Sequence, residues 1–277
     1  MTTWFITGAN RGLGLEIARA ALEAGDQVVA TARKPESLLT VLSDFGDRLV
    51  VAPLDVTDGD AISASVDVAM KRFGRIDVLV NNAGYGQLGL FELISPEAIE
   101  RQFSTNVFGV FAVTRAVLPI MRAQRSGHVI TMSSIGGLIG FEGSSMYCAT
   151  KFALEGWSES LGLELARFGI KTTLIEPGRF RTDFLDPSSV GFGDLEIQDY
   201  VAYATEHKAA LDAGNHQQAG DPVKLGNTIV TLARSPEPPV RYGAGSEAYG
   251  VMIDRAKRLK AEAEAWRELS LSNDITA

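Results

Sequence analysis

The chain has 277 residues, 45% of them hydrophobic, with 34 acidic against 26 basic side chains and a net charge of −8. That length buries a full core and is most simply one large domain. The acidic balance excludes a surface built for nucleic acid, which needs clustered Lys and Arg, and a lone cysteine, Cys148, excludes an intrachain disulfide and suits a reducing cytoplasm.

In chain order, a short apolar strand over 4–7 runs into Thr7-Gly8-Ala9-Asn10-Arg11-Gly12-Leu13-Gly14, and no signal peptide is expected ahead of it. A helix over 13–24 carries Leu15, Ala18 and Leu22 on one face and stops at Gly25. Strands are predicted at 27–31, 49–54 and 78–81. Ser95-Pro96-Glu97 then supplies an N-cap, a proline for the first helical position and an acid for the first turn. The longest apolar stretch, 108–121, is broken by Thr114, Arg115 and Pro119 and is too short to span a bilayer. A strand at 128–133 precedes a helix over 147–168, whose Leu154, Trp157, Leu161 and Leu165 share a face and whose end is marked by Gly169. Strands at 172–176 and 240–243 complete the series. Short β-branched runs alternating with helices predict a Rossmann-like, doubly wound α/β fold: about seven parallel strands with helices on both faces.

Two regions leave that rhythm. Residues 183–222 hold no clear strand and mix Phe184, Leu185, Phe192, Tyr200 and Tyr203 with Gly and Pro, as a substrate lid or a subunit interface would. The tail over 250–277 is expected to be helical, with Leu259, Ala263, Trp266 and Leu269 as a thin apolar stripe that packs on the body or on a partner subunit rather than on a membrane.

The glycine run differs from G-x-G-x-x-G, yet offers the same physics: a tight turn, close backbone approach to phosphate and a helix N-terminus aimed at negative charge. Alone it favours function but also fits a packing turn. The strand that ends Thr31-Ala32-Arg33-Lys34 has no acid for a ribose hydroxyl, and Arg33, with Arg11 in the glycine run, suits a 2′-phosphate. Asp55 and Asn81-Asn82-Ala83-Gly84 fall at C-terminal strand ends, the ligand edge of such a sheet. Tyr147 and Lys151, four apart, share a helix face. A free tyrosine titrates near about 10; an ammonium beside it, and an oxidised nicotinamide, are expected to lower that value so that the phenol exchanges a proton with a carbonyl oxygen. Ser134 is placed to hydrogen-bond the same oxygen.

With Asn106 and Pro177-Gly178 added, these motifs stand in the order of the short-chain dehydrogenase/reductase family, which residues 3–182 resemble closely. Ser134 lies 28 positions after Asn106 and 13 before Tyr147, a spacing that selects it over Ser133. The resemblance implies Tyr147 as acid/base, Lys151 on the nicotinamide ribose, Ser134 orienting substrate, and Asn106 holding a water in a proton relay from Lys151. It also implies a cofactor set of Gly8, Asn10, Arg11, Gly12, Leu13, Gly14, Arg33, Asp55, Val56, Asn82, Ala83, Gly84, Pro177, Gly178, Phe180 and Thr182, together with Tyr147 and Lys151. Ala30-Thr31-Ala32-Arg33 and the long segment after Thr182 look most like NADP-dependent reductases of lipophilic ketones, steroid- and retinoid-type members included.

The expected function is therefore hydride transfer between NADP(H) and a carbonyl or secondary alcohol. A non-catalytic NADP-binding regulator and an isomerase or epimerase on the same fold are the competing classes. Neither a metal nor a nucleic acid is expected: His128, His207 and His216 show no ligand spacing. Small residues Ala149, Ala153, Gly156 and Ser160 stripe the Tyr147 helix, fit either for a dimer or tetramer contact or for close packing within one chain.

Overall fold

The computed structural model describes residues 1–275. Its strands are β1 (Thr3–Ile6), β2 (Gln27–Ala32), β3 (Leu49–Pro53), β4 (Val78–Asn81), β5 (Gly86–Gln87), β6 (Gly127–Met132), β7 (Ile170–Pro177), β8 (Val190–Gly191) and β9 (Arg241–Ala244). The helices are α1 (Gly12–Glu23), α2 (Glu36–Val41), α3 (Gly59–Phe73), α4 (Pro96–Phe103), α5 (Gly109–Gln124), α6 (Ser145–Leu165), α7 (Val201–Gly214), α8 (Pro222–Arg234), α9 (Ser246–Ala265) and α10 (Arg267–Leu271). Seven strands form one parallel sheet in the order β3-β2-β1-β4-β6-β7-β9, the doubly wound arrangement expected from the sequence. The order reverses between β1 and β4, which opens the ligand crevice at their C-terminal ends.

Burial on both faces explains why these strands read as unbroken apolar runs rather than alternating ones. Trp4 and Ile6 pack with Ile17 and Leu22 of α1 and Leu225 and Ile229 of α8. Phe5, between them, points to the other face and joins Ile62, Val113, Val117 and Leu161.

The expected strand limits hold to within two residues. Three features differ from expectation. Residues 183–222 contain the helix α7 and a two-residue strand, β8, paired with β5. No α7 side chain is fully buried, so no apolar stripe marks it in the sequence.

Secondly, α4 and α5 are one continuous run, joined by a π turn over Ser104–Phe108. Pro96–Gln124 is therefore long and apolar enough by composition to cross a membrane. Its Val110, Val113, Val117 and Met121 are buried, which is how a core helix packs.

Thirdly, the tail is helical but its stripe does not pack on the body. Leu259, Leu269 and Trp266, the last 65% accessible, face outward along α9 and α10.

Candidate active site

The turn from β1 to α1 takes its shape from two glycines at positive φ, Gly8 (+64°) and Gly12 (+53°). A Cβ on Gly14 would collide with the Gly8 carbonyl and the Asn82 amide. That amide donates to the carbonyls of Thr7 (2.9 Å) and Gly8 (3.0 Å). The Thr7 hydroxyl accepts from the backbone N–H groups of Asn82 and Ala83 in return. Asn82, expected at the ribose, thus braces the glycine turn, and its partner is Thr7, the first residue of that run. No side chain caps the first turn of α1, whose N-cap is Arg11. Amides of an uncapped first turn beside backbone that admits no Cβ fit a pyrophosphate.

The remaining expected positions converge on this edge. Arg33 is exposed at the end of β2, and its charge, with two hydrogen bonds from Thr57, holds the Asp55 carboxyl below its usual range, the Thr57 bonds contributing most. Val56 packs under Gly109, and Gly84 lies against Asn106. Asn10 is exposed in the turn, and Leu13, in the first turn of α1, packs on the core. Pro177 ends β7; the Gly178 N–H donates to the Ala244 carbonyl. Phe180 packs on Gly220 and Gly245, while Thr182 approaches Gly12. Arg11 does not stand free as a second cation: its guanidinium donates to the Ser188 hydroxyl (2.9 Å) and carbonyl (3.0 Å).

Ser134 leaves β6 in extended backbone, and its hydroxyl accepts from the Gly136 N–H at 3.0 Å. Ser133 turns the other way and donates to Glu155, which leaves Ser134 on the side of Tyr147, where it opposes the rise of the phenol pKa. On α6, the Lys151 ammonium donates to the Met132 carbonyl at 2.7 Å and lies 5.7 Å from the Tyr147 ring centroid. Burial pushes the phenol up to about 12, against a smaller lowering from Ser134, and pulls Lys151 down to about 8. The expected depression of Tyr147 by Lys151 is thus not what this chain achieves by itself: desolvation outweighs it, since the ammonium is held at a backbone carbonyl.

Asn106 is buried inside the π turn, a helix irregularity common at functional sites. Its side chain clasps Tyr85 from both sides, accepting from the N–H (3.1 Å) and donating to the carbonyl (2.8 Å), and reaches Thr150 on α6. Phe184, 5.6 Å from Tyr147 between ring centroids, roofs the phenol; like Tyr85, it carries no motif that sequence reading detects. Asp186 accepts from Asn215 (2.6 Å) and pairs with His216, tying the end of α7 to the same segment. Asp183, Asp186 and His216 bring ligand-type atoms within 4.8 Å of one another, a proximity that sequence spacing hides. His128 is buried against Thr173, and desolvation drives its ring down to about 4.

A dinucleotide-shaped turn, a serine and a Tyr–Lys pair at one sheet edge define an oxidoreductase of the doubly wound α/β class. The family model described as short chain dehydrogenase matches residues 2–190. Oxidoreductase BOA17 of Botryotinia fuckeliana is 42% identical, covering 98% of both chains. The 3-ketodihydrosphingosine reductase of Bacteroides thetaiotaomicron is 37% identical over 87% of this chain and 86% of its own. A short-chain dehydrogenase structure from Streptomyces avermitilis superposes with a TM-score of 0.89 at 38% identity, covering 99% and 100% of the two chains. A structure of ElxO with NADP bound matches at TM-score 0.71 and 27% identity, over 85% and 92%. The chain belongs to the short-chain dehydrogenase/reductase family.

Proposed function

We propose that this protein is an NADP(H)-dependent carbonyl reductase acting on lipophilic ketones or aldehydes. The observation that carries the reading is the convergence of Ser134, Tyr147 and Lys151 at the edge that also holds the glycine turn. Bound nicotinamide supplies the hydride. Ser134 donates a hydrogen bond to the substrate oxygen and fixes its place. Tyr147, protonated at neutral pH in its buried setting, donates its proton to that oxygen as charge develops there. Lys151, held by the Met132 carbonyl, holds the cofactor ribose and stabilises the phenolate left behind. Arg33 takes the 2′-phosphate of NADP. Phe184 and the segment around it keep water out and favour an apolar substrate, in keeping with the keto-lipid reductase among the relatives.

Assembly as a homodimer or homotetramer in the cytoplasm belongs to the same proposal. The support for assembly is the apolar surface of α6 and of the π turn before α5, where Phe152, Leu163 and Phe108 (59% accessible) face outward.

The test is NADPH consumption over ketones and aldehydes graded from small to steroid-sized. Turnover that Tyr147→Phe lowers by about 10²- to 10⁴-fold, with NADPH affinity kept, is the expected outcome. NADPH binding without turnover across the panel would assign the chain to the regulators instead.

A further inference from the structure

Behind Lys151, one turn further along α6, lies a charge arrangement that the proton-transfer scheme does not use. Glu155 is 6% accessible and Glu176, on β7, is fully buried. Glu155 has donors for both its oxygens: the Ser133 hydroxyl for one, and the Arg241 Nε at 3.0 Å for the other. Glu176 has none. Both its oxygens are buried without a partner, and the Nε of its ion-pair partner Arg241 stands 3.6 Å away with its hydrogen committed to Glu155. The far end of the Arg241 guanidinium is spent on Glu159 at 2.7 Å. The charged groups facing the two buried carboxyls are thus Lys151 and Glu159 from α6 and Arg241 from β9; β6 contributes only the Ser133 hydroxyl.

One guanidinium shared three ways does not support two buried carboxylates. Two carboxylates, both acceptors, also offer each other nothing until one of them is protonated. The Glu155 and Glu176 carboxyls crowd the same Arg241 Nε, at 3.0 and 3.6 Å, so a single proton on Glu176 turns one orphaned oxygen into a donor and removes the repulsion at once. We propose that Glu155 and Glu176 hold one proton between them, carried on Glu176, and that the charge left on Glu155 keeps Lys151 protonated and positioned. Burial and the Glu155 charge push the Glu176 carboxyl up to about 8, and Glu155 is the influence that opposes the desolvation of Lys151. The pair touches neither substrate nor cofactor; it acts through the lysine. Its importance for catalysis rests on the reductase reading, but the proton itself does not.

The test therefore reads spectra of the full chain rather than turnover. Infrared difference spectra of the wild type should show the carbonyl stretch of a protonated carboxylic acid at pH 7, fading as pH rises through about 8. Glu176→Gln, which keeps the shape and the neutral state, should lack that band. In ¹³C spectra of ε-labelled lysine, assigned with Lys151→Arg, Glu155→Gln should lower the Lys151 midpoint by about one pH unit, while Glu176→Gln leaves it in place. A wild type without the acid band, or a band that survives Glu176→Gln, overturns the shared proton. An unmoved Lys151 midpoint in Glu155→Gln overturns the link to the lysine. Neither outcome depends on whether a ketone is reduced, so failure here and failure of the reductase assignment are told apart.

Discussion

Arg33 stands where the second strand delivers it, exposed and within electrostatic reach of Asp55 and Tyr85. Replacing it by Asp removes the cation for a 2′-phosphate and adds an acid for a ribose diol. The expected result for Arg33→Asp is an NADPH KM raised at least about tenfold, with the NADH KM unchanged or lower, a swing of about 1.4 kcal/mol or more in preference; equal changes in both would dismiss Arg33 as the selector. Single residues of this kind were legible in the sequence because spacing carries them. The 13 positions between Ser134 and Tyr147 singled out Ser134, and the structure gives the reason: the Ser133 hydroxyl is taken by Glu155. What spacing does not carry is the balance between burial and charge. The expectation that Lys151 lowers the Tyr147 pKa needed the ammonium at the phenol oxygen, and the chain holds it at the Met132 carbonyl.

The glycine turn is an element braced from two strands, and its tolerance is set by the gap between Gly8 and Asn82. In Gly14→Ala the added methyl meets the Gly8 carbonyl and the Asn82 amide, neither of which can yield without breaking the Thr7–Asn82 lacing. A loss of about 1–3 kcal/mol of stability is expected, with nicotinamide-nucleotide affinity down at least about tenfold, by thermal melt and fluorescence titration; an unchanged affinity would mean that the turn does not cradle the cofactor. Elements packed on both faces were readable, strand by strand, since burial forces an apolar run. The helix α7 was not, because a helix with no buried face leaves no periodic mark. The π turn at Ser104–Phe108 was not readable either, since one extra residue in a helical turn changes no residue type.

On the scale of the molecule, Leu259, Trp266 and Leu269 along α9 and α10 face outward, and the body does not cover them. Deleting residues 259–277 removes only exposed side chains among those described, so the Tm should move by less than about 2 °C if the chain stands alone. A larger drop that grows on dilution would show that a partner subunit covers the stripe.

The strand order has a consequence for the making of the protein. β1 leaves the ribosome ahead of the other strands of the sheet and lies inside it: β2 flanks it on one side, and its other neighbour is β4, at Val78–Asn81. The sheet is closed only by β9, at Arg241–Ala244, near the end of the chain. At about 5–20 residues per second, a ribosome needs on the order of ten seconds or more to reach that strand. Trp4 and Ile6 spend most of that interval without Leu225 and Ile229 of α8, so the nascent chain, rather than the finished enzyme, is the species most exposed to aggregation and most in need of a chaperone.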